Sequence, residues 1–168
     1  MPLITGPLKW YTVAETVRAA VDTALAANPP ARSGTVPGAI AWDACDCGLL
    51  AFSLARVYLS NNFPNQLTSA DSPCKAGWEV GEFVVQLIRC TPGADDQSLA
   101  PTVAALDASA QEILTDAYLL LRSVSVELCE MKADREIIDF FLNPLTAQGP
   151  TGQCGGNELR FLVALPRN

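Results

Sequence analysis

Two long stretches with alternating apolar residues, 49–59 and 78–90, restrict the fold of this chain more than any other feature. Alternation of this kind is typical of β-strands. The first stretch would place Leu50, Phe52, Leu54 and Tyr58 on one face and Ala51, Ser53, Ala55 and Val57 on the other. The second would place Trp78, Val80, Val84 and Ile88 on one face and Phe83, Val85, Leu87 and Arg89 on the other. A long loop over 61–77 joins the two strands, which predicts an antiparallel pair.

Shorter strands are predicted on either side of this pair. The stretches 137–142 and 158–165 have strand character, and 38–43 is a candidate short strand. Residues 29–38 form a connector rich in Pro, Gly and Ser, and 143–157 carries four glycines and two prolines, which predicts a second long loop.

Two segments have the periodicity of amphipathic helices. The first is predicted over 12–28, opening on a capping box formed by Thr12 and Glu15. The second is predicted to open at Pro101 and to run to about Arg122, whereas 123–136 fits either a helix or a strand. The whole chain, 1–168, is therefore predicted to be a single α+β domain. Its antiparallel sheet of about four strands would carry two amphipathic helices packed on one face.

Charge and composition exclude several classes of function. The net charge is −7 and histidine is absent, which disfavours a nucleic-acid-binding surface and removes histidine-based triads, general bases and metal ligands. Only 17% of the residues are charged, below the quarter or so of an ordinary domain, so we expect other subunits to cover part of the surface. No stretch is apolar for long enough to span a membrane, and the first residues do not resemble a signal peptide. These features predict a protein made and kept in the cytoplasm.

The six cysteines have three interpretations, of which we favour the last. Cys45 and Cys47 could bind a metal together with Cys74, Cys90 or Cys154, although C-x-C is a cramped spacing for zinc. Alternatively, disulfides could form after release from the cell. Thirdly, the cysteines could stay reduced and serve as small apolar residues. We expect no stoichiometric metal and full folding in reducing buffer.

No other motif predicts catalysis or a cofactor. Asp95 and Asp96 are interpreted as turn residues before a helix, and the acidic run from Glu127 to Glu136 as a solvated face. The glycine-rich segment 152–156 precedes a strand and lacks the Lys-Ser/Thr of a phosphate loop. The residues therefore predict a structural or binding protein that is not an enzyme and has no cofactor.

Several sequence clusters occur in a distinctive order. Ala41-Trp-Asp-Ala-Cys-Asp-Cys-Gly-Leu-Leu50 follows the first helix and the Pro-rich connector. Trp78-Glu-Val80, Val84-Val-Gln-Leu-Ile-Arg-Cys-Thr-Pro92 and the helix at Pro101 come next, and Gly149-Pro-Thr-Gly-Gln-Cys-Gly-Gly-Asn-Glu-Leu-Arg160 leads into the last strand. Over nearly its whole length, the chain resembles the tail-terminator proteins of long-tailed bacteriophages, especially phages of mycobacteria and related actinobacteria.

This resemblance implies a structural virion protein at the head-proximal end of the tail, assembled in the host cytoplasm. Its α+β subunits would form a hexameric ring on the last ring of the tail tube, end tube polymerisation and join the tail to the head. The implied partners are other copies of this chain, the major tail tube protein and the head-to-tail connector or stopper protein. DNA would pass through without specific binding, and no membrane is involved. The resemblance carries over no catalytic residue.

Other functions stay open at this stage. The chain could be another neck protein, either a stopper or an adaptor, or a small metal-binding regulatory protein. For the ring, the two long loops supply the candidate subunit or partner contacts, namely Asn61, Asn62, Gln66, Gln148, Thr151, Gln153 and Asn157.

Overall fold

The structure is a computed structural model that describes residues 3–42, 48–68, 73–94 and 99–167. It confirms the general α+β class. The elements in chain order are α1 (Lys9–Ala24), β1 (Arg32–Thr35), β2 (Leu49–Ser60), a short 3-10 turn (Pro73–Lys75), β3 (Trp78–Cys90), α2 (Val103–Ala133), β4 (Asp139–Leu142), β5 (Thr146–Thr151) and β6 (Cys154–Pro166).

The sheet has six strands and is mixed, which corrects the expectation of about four antiparallel strands. The order is β1-β2-β3-β6-β4, and β5 also pairs with β6, along the first half of that strand. Every pair is antiparallel except β1 with β2. The sequence of β1 is Arg-Ser-Gly-Thr, which has no apolar alternation to reveal it. Backbone pairing with β2 alone makes it an edge strand, inside the predicted connector. The candidate strand at 38–43 is wrong over Gly38–Trp42, and Asp43 lies outside the described residues.

A β-bulge in β2 corrects one side-chain assignment. The register against β3 shifts between Leu54 and Arg56, so one extra residue enters β2 there. An extra residue inverts the alternation beyond it. Leu54 therefore packs with the main core, whereas Tyr58 packs on the opposite face of the sheet with Val80 and Leu162.

The predicted loop over 143–157 is a β-hairpin. β5 and the start of β6 pair across a tight turn at Gly152 and Gln153, where both residues have positive φ, as two-residue hairpin turns of type I′ require. Gly156 pairs with Ile88 of β3, and a Cβ built on Gly156 would lie 2.0 Å from the Leu87 carbonyl oxygen. Glycine at this position permits the close approach of two strands. The prediction of a loop from the glycine-rich composition was therefore wrong here.

Both helices begin and end at residues other than those predicted. α1 begins three residues before Thr12 and ends at Ala24, and the predicted capping box is absent because Thr12 lies inside the helix. α2 continues through the ambiguous segment to Ala133. Its N-cap is Thr102, whose side chain accepts a hydrogen bond from the Ala105 N–H, so Pro101 lies one residue before the N-cap and outside the helix.

The main core lies between the two helices and one face of the sheet. It comprises buried residues of α1, α2, β2, β3 and β6, among them Val17, Phe52, Phe83, Leu120 and Phe161. Two smaller clusters occupy the other face, one around Tyr58 and Val80 and one around Ile88 and Cys154. Neither small cluster contains a residue of α1 or α2. We call this second face the open face of the sheet.

Candidate functional site

Charged and polar side chains form a ladder across the three central strands on the open face. Arg56 of β2 contacts Glu82 of β3, with 2.5 Å between Nε and Oε2. The other carboxylate oxygen of Glu82 lies 3.6 Å from Nη1 of Arg160 on β6. Arg160 in turn pairs with Glu158, with 2.7 Å between Nε and Oε1. We call these four residues the polar ladder.

Gln86 of β3 and Trp42 of the segment before β2 extend the polar ladder. The Gln86 amide donates to Oε2 of Glu158 at 2.7 Å, and its oxygen accepts from the indole N–H of Trp42 at 2.6 Å. Gln86 and Glu158 meet because they lie directly opposite each other on β3 and β6 and share a face of the sheet.

In the polar ladder, the arginine side chains are more exposed to solvent than the carboxylates. The side chains of Glu82 and Glu158 are 12% and 13% exposed, whereas those of Arg56 and Arg160 are 58% and 47% exposed. A hydrogen bond from Arg160 to Glu158 raises the pKa of the guanidinium, and the charge of Glu82 adds to this effect. Two arginine heads therefore project over two shielded carboxylates.

A groove of about 560 Å³ lies beside the polar ladder. Its apolar lining residues are Tyr58, Pro64, Phe141, Pro144 and Leu162, and Thr146 of β5 lies at its side. The Tyr58 hydroxyl donates to the Pro64 carbonyl oxygen at 2.6 Å, which holds the ring in place. Burial raises the pKa of Tyr58; Arg56 lowers it and Glu82 raises it further.

The groove combines paired charges with apolar walls. Both carboxylates beside the groove, Glu82 and Glu158, are paired with arginine. Within the described ranges, no three Cys, Asp or Glu side chains are grouped as a metal would need. Apolar walls with projecting arginines resemble the anchor pockets of protein interfaces.

A second unusual surface lies on α2. Exposed apolar side chains recur along this helix at successive intervals of three, eight, four and three residues: Val103, Leu106, Leu114, Tyr118 and Leu121. Their exposed fractions are 82%, 49%, 70%, 58% and 41%. We call them the α2 stripe. Contiguous exposed apolar surface of this size marks interaction sites.

The predicted contact residues fall at opposite ends of the sheet. Asn61, Asn62 and Gln66 follow β2, where Ser60 pairs with Trp78, and they are exposed. The Asn61 side chain accepts a hydrogen bond from the Gly77 N–H.

The other predicted contacts lie in the β5–β6 hairpin at the far end of β3. Thr151 and Gln153 are exposed and Gln148 is half-buried. Asn157 is only 2% exposed, and its amide donates to the Ile113 carbonyl oxygen, so it joins β6 to α2 inside the subunit. The structure thus brings the predicted residues together as two groups, not one.

The sequence reasoning missed the polar ladder. A usable signal was present: Glu82 and Gln86 share a face of β3, and Glu158 and Arg160 share a face of β6. Their pairing required the strand register, which the sequence does not contain.

The structure corrects the favoured interpretation of two cysteines. Cys90 and Cys154 are disulfide-bonded, whereas Cys74 and Cys129 are exposed free thiols. The predictions for Cys45 and Cys47, and for the turn at Asp95 and Asp96, lie outside the described residues.

Sequence comparisons assign no family, since neither a scan of protein-family models nor a search of curated proteins finds a match. In the parts of the chain that the structure describes, neither helix combines the length and apolar character needed to cross a membrane.

Proposed function

We propose that this chain is a structural virion protein, a tail terminator that caps the phage tail tube as a ring of identical subunits. In this role it ends tube polymerisation and joins the tail to the head-side connector. Besides other copies of itself, its partners are the major tail tube protein and the connector or stopper protein. It needs neither catalysis nor a cofactor.

The observation that carries this proposal is the α2 stripe. Five large apolar side chains are exposed along one helix, three of them by more than half. Exposing this surface to water is unfavourable, and a neighbouring subunit would remove it from water. The low fraction of charged residues, 17%, agrees with a subunit that is partly covered in its working state.

The two groups of exposed polar residues support a role between two partners. β3 has 13 residues, so the groups following β2 and in the β5–β6 hairpin are separated by about 40 Å along the sheet. A subunit between tail tube and connector needs a contact surface at each end, and these groups would supply one each.

The net charge supports passage of DNA without binding. At −7 per subunit, a ring repels phosphates and does not hold them. Specific DNA binding would instead require a basic surface.

Electron microscopy of phage particles tests this proposal. Antibodies against the chain should label intact virions at the junction between head and tail, one cluster per particle. Lysates of phage lacking the gene should contain tails of uncontrolled length that are not joined to heads. Expression of the wild-type chain from a plasmid should restore normal particles. Labelling at the distal tip, or normal tails without the gene, would refute the proposal.

A further inference from the structure

We propose that the α2 stripe of one subunit docks into the groove on the open face of the next subunit. This inference rests on the proposed ring and identifies the two surfaces that would form its repeated contact. The occupant of the groove is therefore a second copy of this chain.

The α2 stripe is convex and apolar, and the groove is concave with walls that are partly apolar. The α2 stripe is a ridge that runs for 19 residues, Val103 to Leu121, or about 27 Å of helix. The groove is a concave surface of about 560 Å³ with walls formed by Tyr58, Phe141 and Leu162. An apolar helix face lying in an apolar groove is a common way for proteins to associate.

The charges are complementary at one end of the α2 stripe, whereas at the other end Arg122 donates to the Tyr118 hydroxyl. Asp107 follows Val103 by four residues and precedes Leu114 by seven, so this exposed acid lies on the α2 stripe itself. The groove carries the two exposed arginine heads of the polar ladder, Arg56 and Arg160. Docking would place a carboxylate beside guanidinium groups, the pairing that arginine makes with the best geometry.

The apolar surface of the α2 stripe supplies a large part of the area that an interface needs. At their observed exposures, the five residues of the α2 stripe present on the order of 500 Å², given that a large aromatic side chain offers about 150–250 Å². A standard interface buries about 800 Å² per partner, and the polar residues around the stripe would supply the remainder.

The contact joins two different surfaces and is therefore directional. Contacts of this type repeat from subunit to subunit and close into a ring when the rotation permits. Docking would also cover the open face with a helix, as α1 and α2 cover the other face within the subunit.

A complementation experiment distinguishes this contact from self-pairing of helices. Leu114→Glu places a charge in the α2 stripe, and Phe141→Glu places one in the groove; both side chains are exposed, at 70% and 44%. Each variant alone should associate at least tenfold more weakly than the wild type in sedimentation equilibrium. An equimolar mixture should form heterodimers and nothing larger, because only one intact ridge and one intact groove remain.

Two further variants serve as controls. Val126→Glu changes an apolar residue that is 48% exposed on α2 but off the stripe, and it should associate like the wild type. Thr146→Arg blocks the groove from an exposed position, and should reproduce the effect of Phe141→Glu even if the latter variant is poorly folded. Circular dichroism checks the fold of every variant.

Three results would overturn the inference: wild-type association of Phe141→Glu together with Thr146→Arg, a mixture that remains monomeric, or a wild type that remains monomeric up to about 1 mM. None of these results bears on the proposed function, which the microscopy of virions tests separately. Correct labelling at the junction of head and tail, combined with a different subunit contact, would refute this inference and leave the proposed function standing.

Discussion

Replacing Asp116 by alanine should destabilise the protein severely, because it would leave a buried cation without its partner. Arg89 and Asp116 are both 3% exposed and form a two-point pair, with 2.7 Å from Nε to Oδ2 and 3.1 Å from Nη2 to Oδ1. The same guanidinium donates to the Asn28 carbonyl oxygen at 2.7 Å. One side chain therefore ties the segment after α1 and strand β3 to α2.

The expected loss can be estimated from this geometry. Removing one partner of a buried ion pair costs about 3–5 kcal/mol. Glu112 lies 3.7 Å from the guanidinium and is 36% exposed, so it would compensate part of the lost charge. We therefore expect a loss near the lower end, about 3 kcal/mol. For a domain of this size, that corresponds to a fall in Tm of about 6–12 °C.

Urea denaturation followed by circular dichroism measures this loss, at a protein concentration low enough to keep the chain monomeric. Glu130→Ala, an exposed acid on the same helix, should change the free energy of unfolding by no more than about 0.5 kcal/mol. The double variant Arg89→Met with Asp116→Leu should recover much of the stability, since it removes both charges. A loss below about 1 kcal/mol for Asp116→Ala, or a double variant as unstable as the single one, would contradict this prediction.

Three other outcomes follow from the structure. Hydrogen bonds from Arg18 and Thr35 lower the pKa of Glu15, so its contribution is present above the unfolded value near 4.5 and is lost as pH falls through the folded value. Glu15→Gln should thus lower stability at pH 7 by about 0.5–1 kcal/mol and have no effect near pH 2, as measured by urea titration at each pH. Gly156→Ala should cost about 2 kcal/mol or more in thermal unfolding, because its Cβ would overlap β3, while Gly34→Ala, with open space around it, should be tolerated. Dithiothreitol should lower the free energy of unfolding by about 2–4 kcal/mol for each disulfide reduced and still leave the far-UV spectrum folded; a spectrum of a disordered chain would contradict this.

Alternation and helical periodicity identified most of the fold. β3 begins and ends at the predicted residues and β2 differs by one residue. Val13, Val17 and Val21, which repeat at helical spacing in α1, are buried. These elements each bury one continuous face against the core. Their sequence therefore carries a signal that does not depend on the rest of the chain.

Features whose partners are distant in sequence depend on the tertiary structure and could not be predicted from the sequence. β1 forms through backbone hydrogen bonds to β2, which any sequence without proline can make, so its four residues carry no pattern. The bulge in β2 moved Tyr58 to the other face, although its sequence alternates without interruption. Asp116 lies on the buried face of α2, where its partner is contributed by a strand 27 residues away.

The polar ladder and the α2 stripe show the same division. Their residue types and spacing are properties of single strands and one helix. Which arginine meets which carboxylate depends on strand register, and register is set by packing of the whole sheet. The sequence thus determined which segments are strands and helices and how much apolar surface they carry. Which part of that surface is buried and which stays exposed depends on the tertiary structure, because burial requires contacts between segments far apart in the chain.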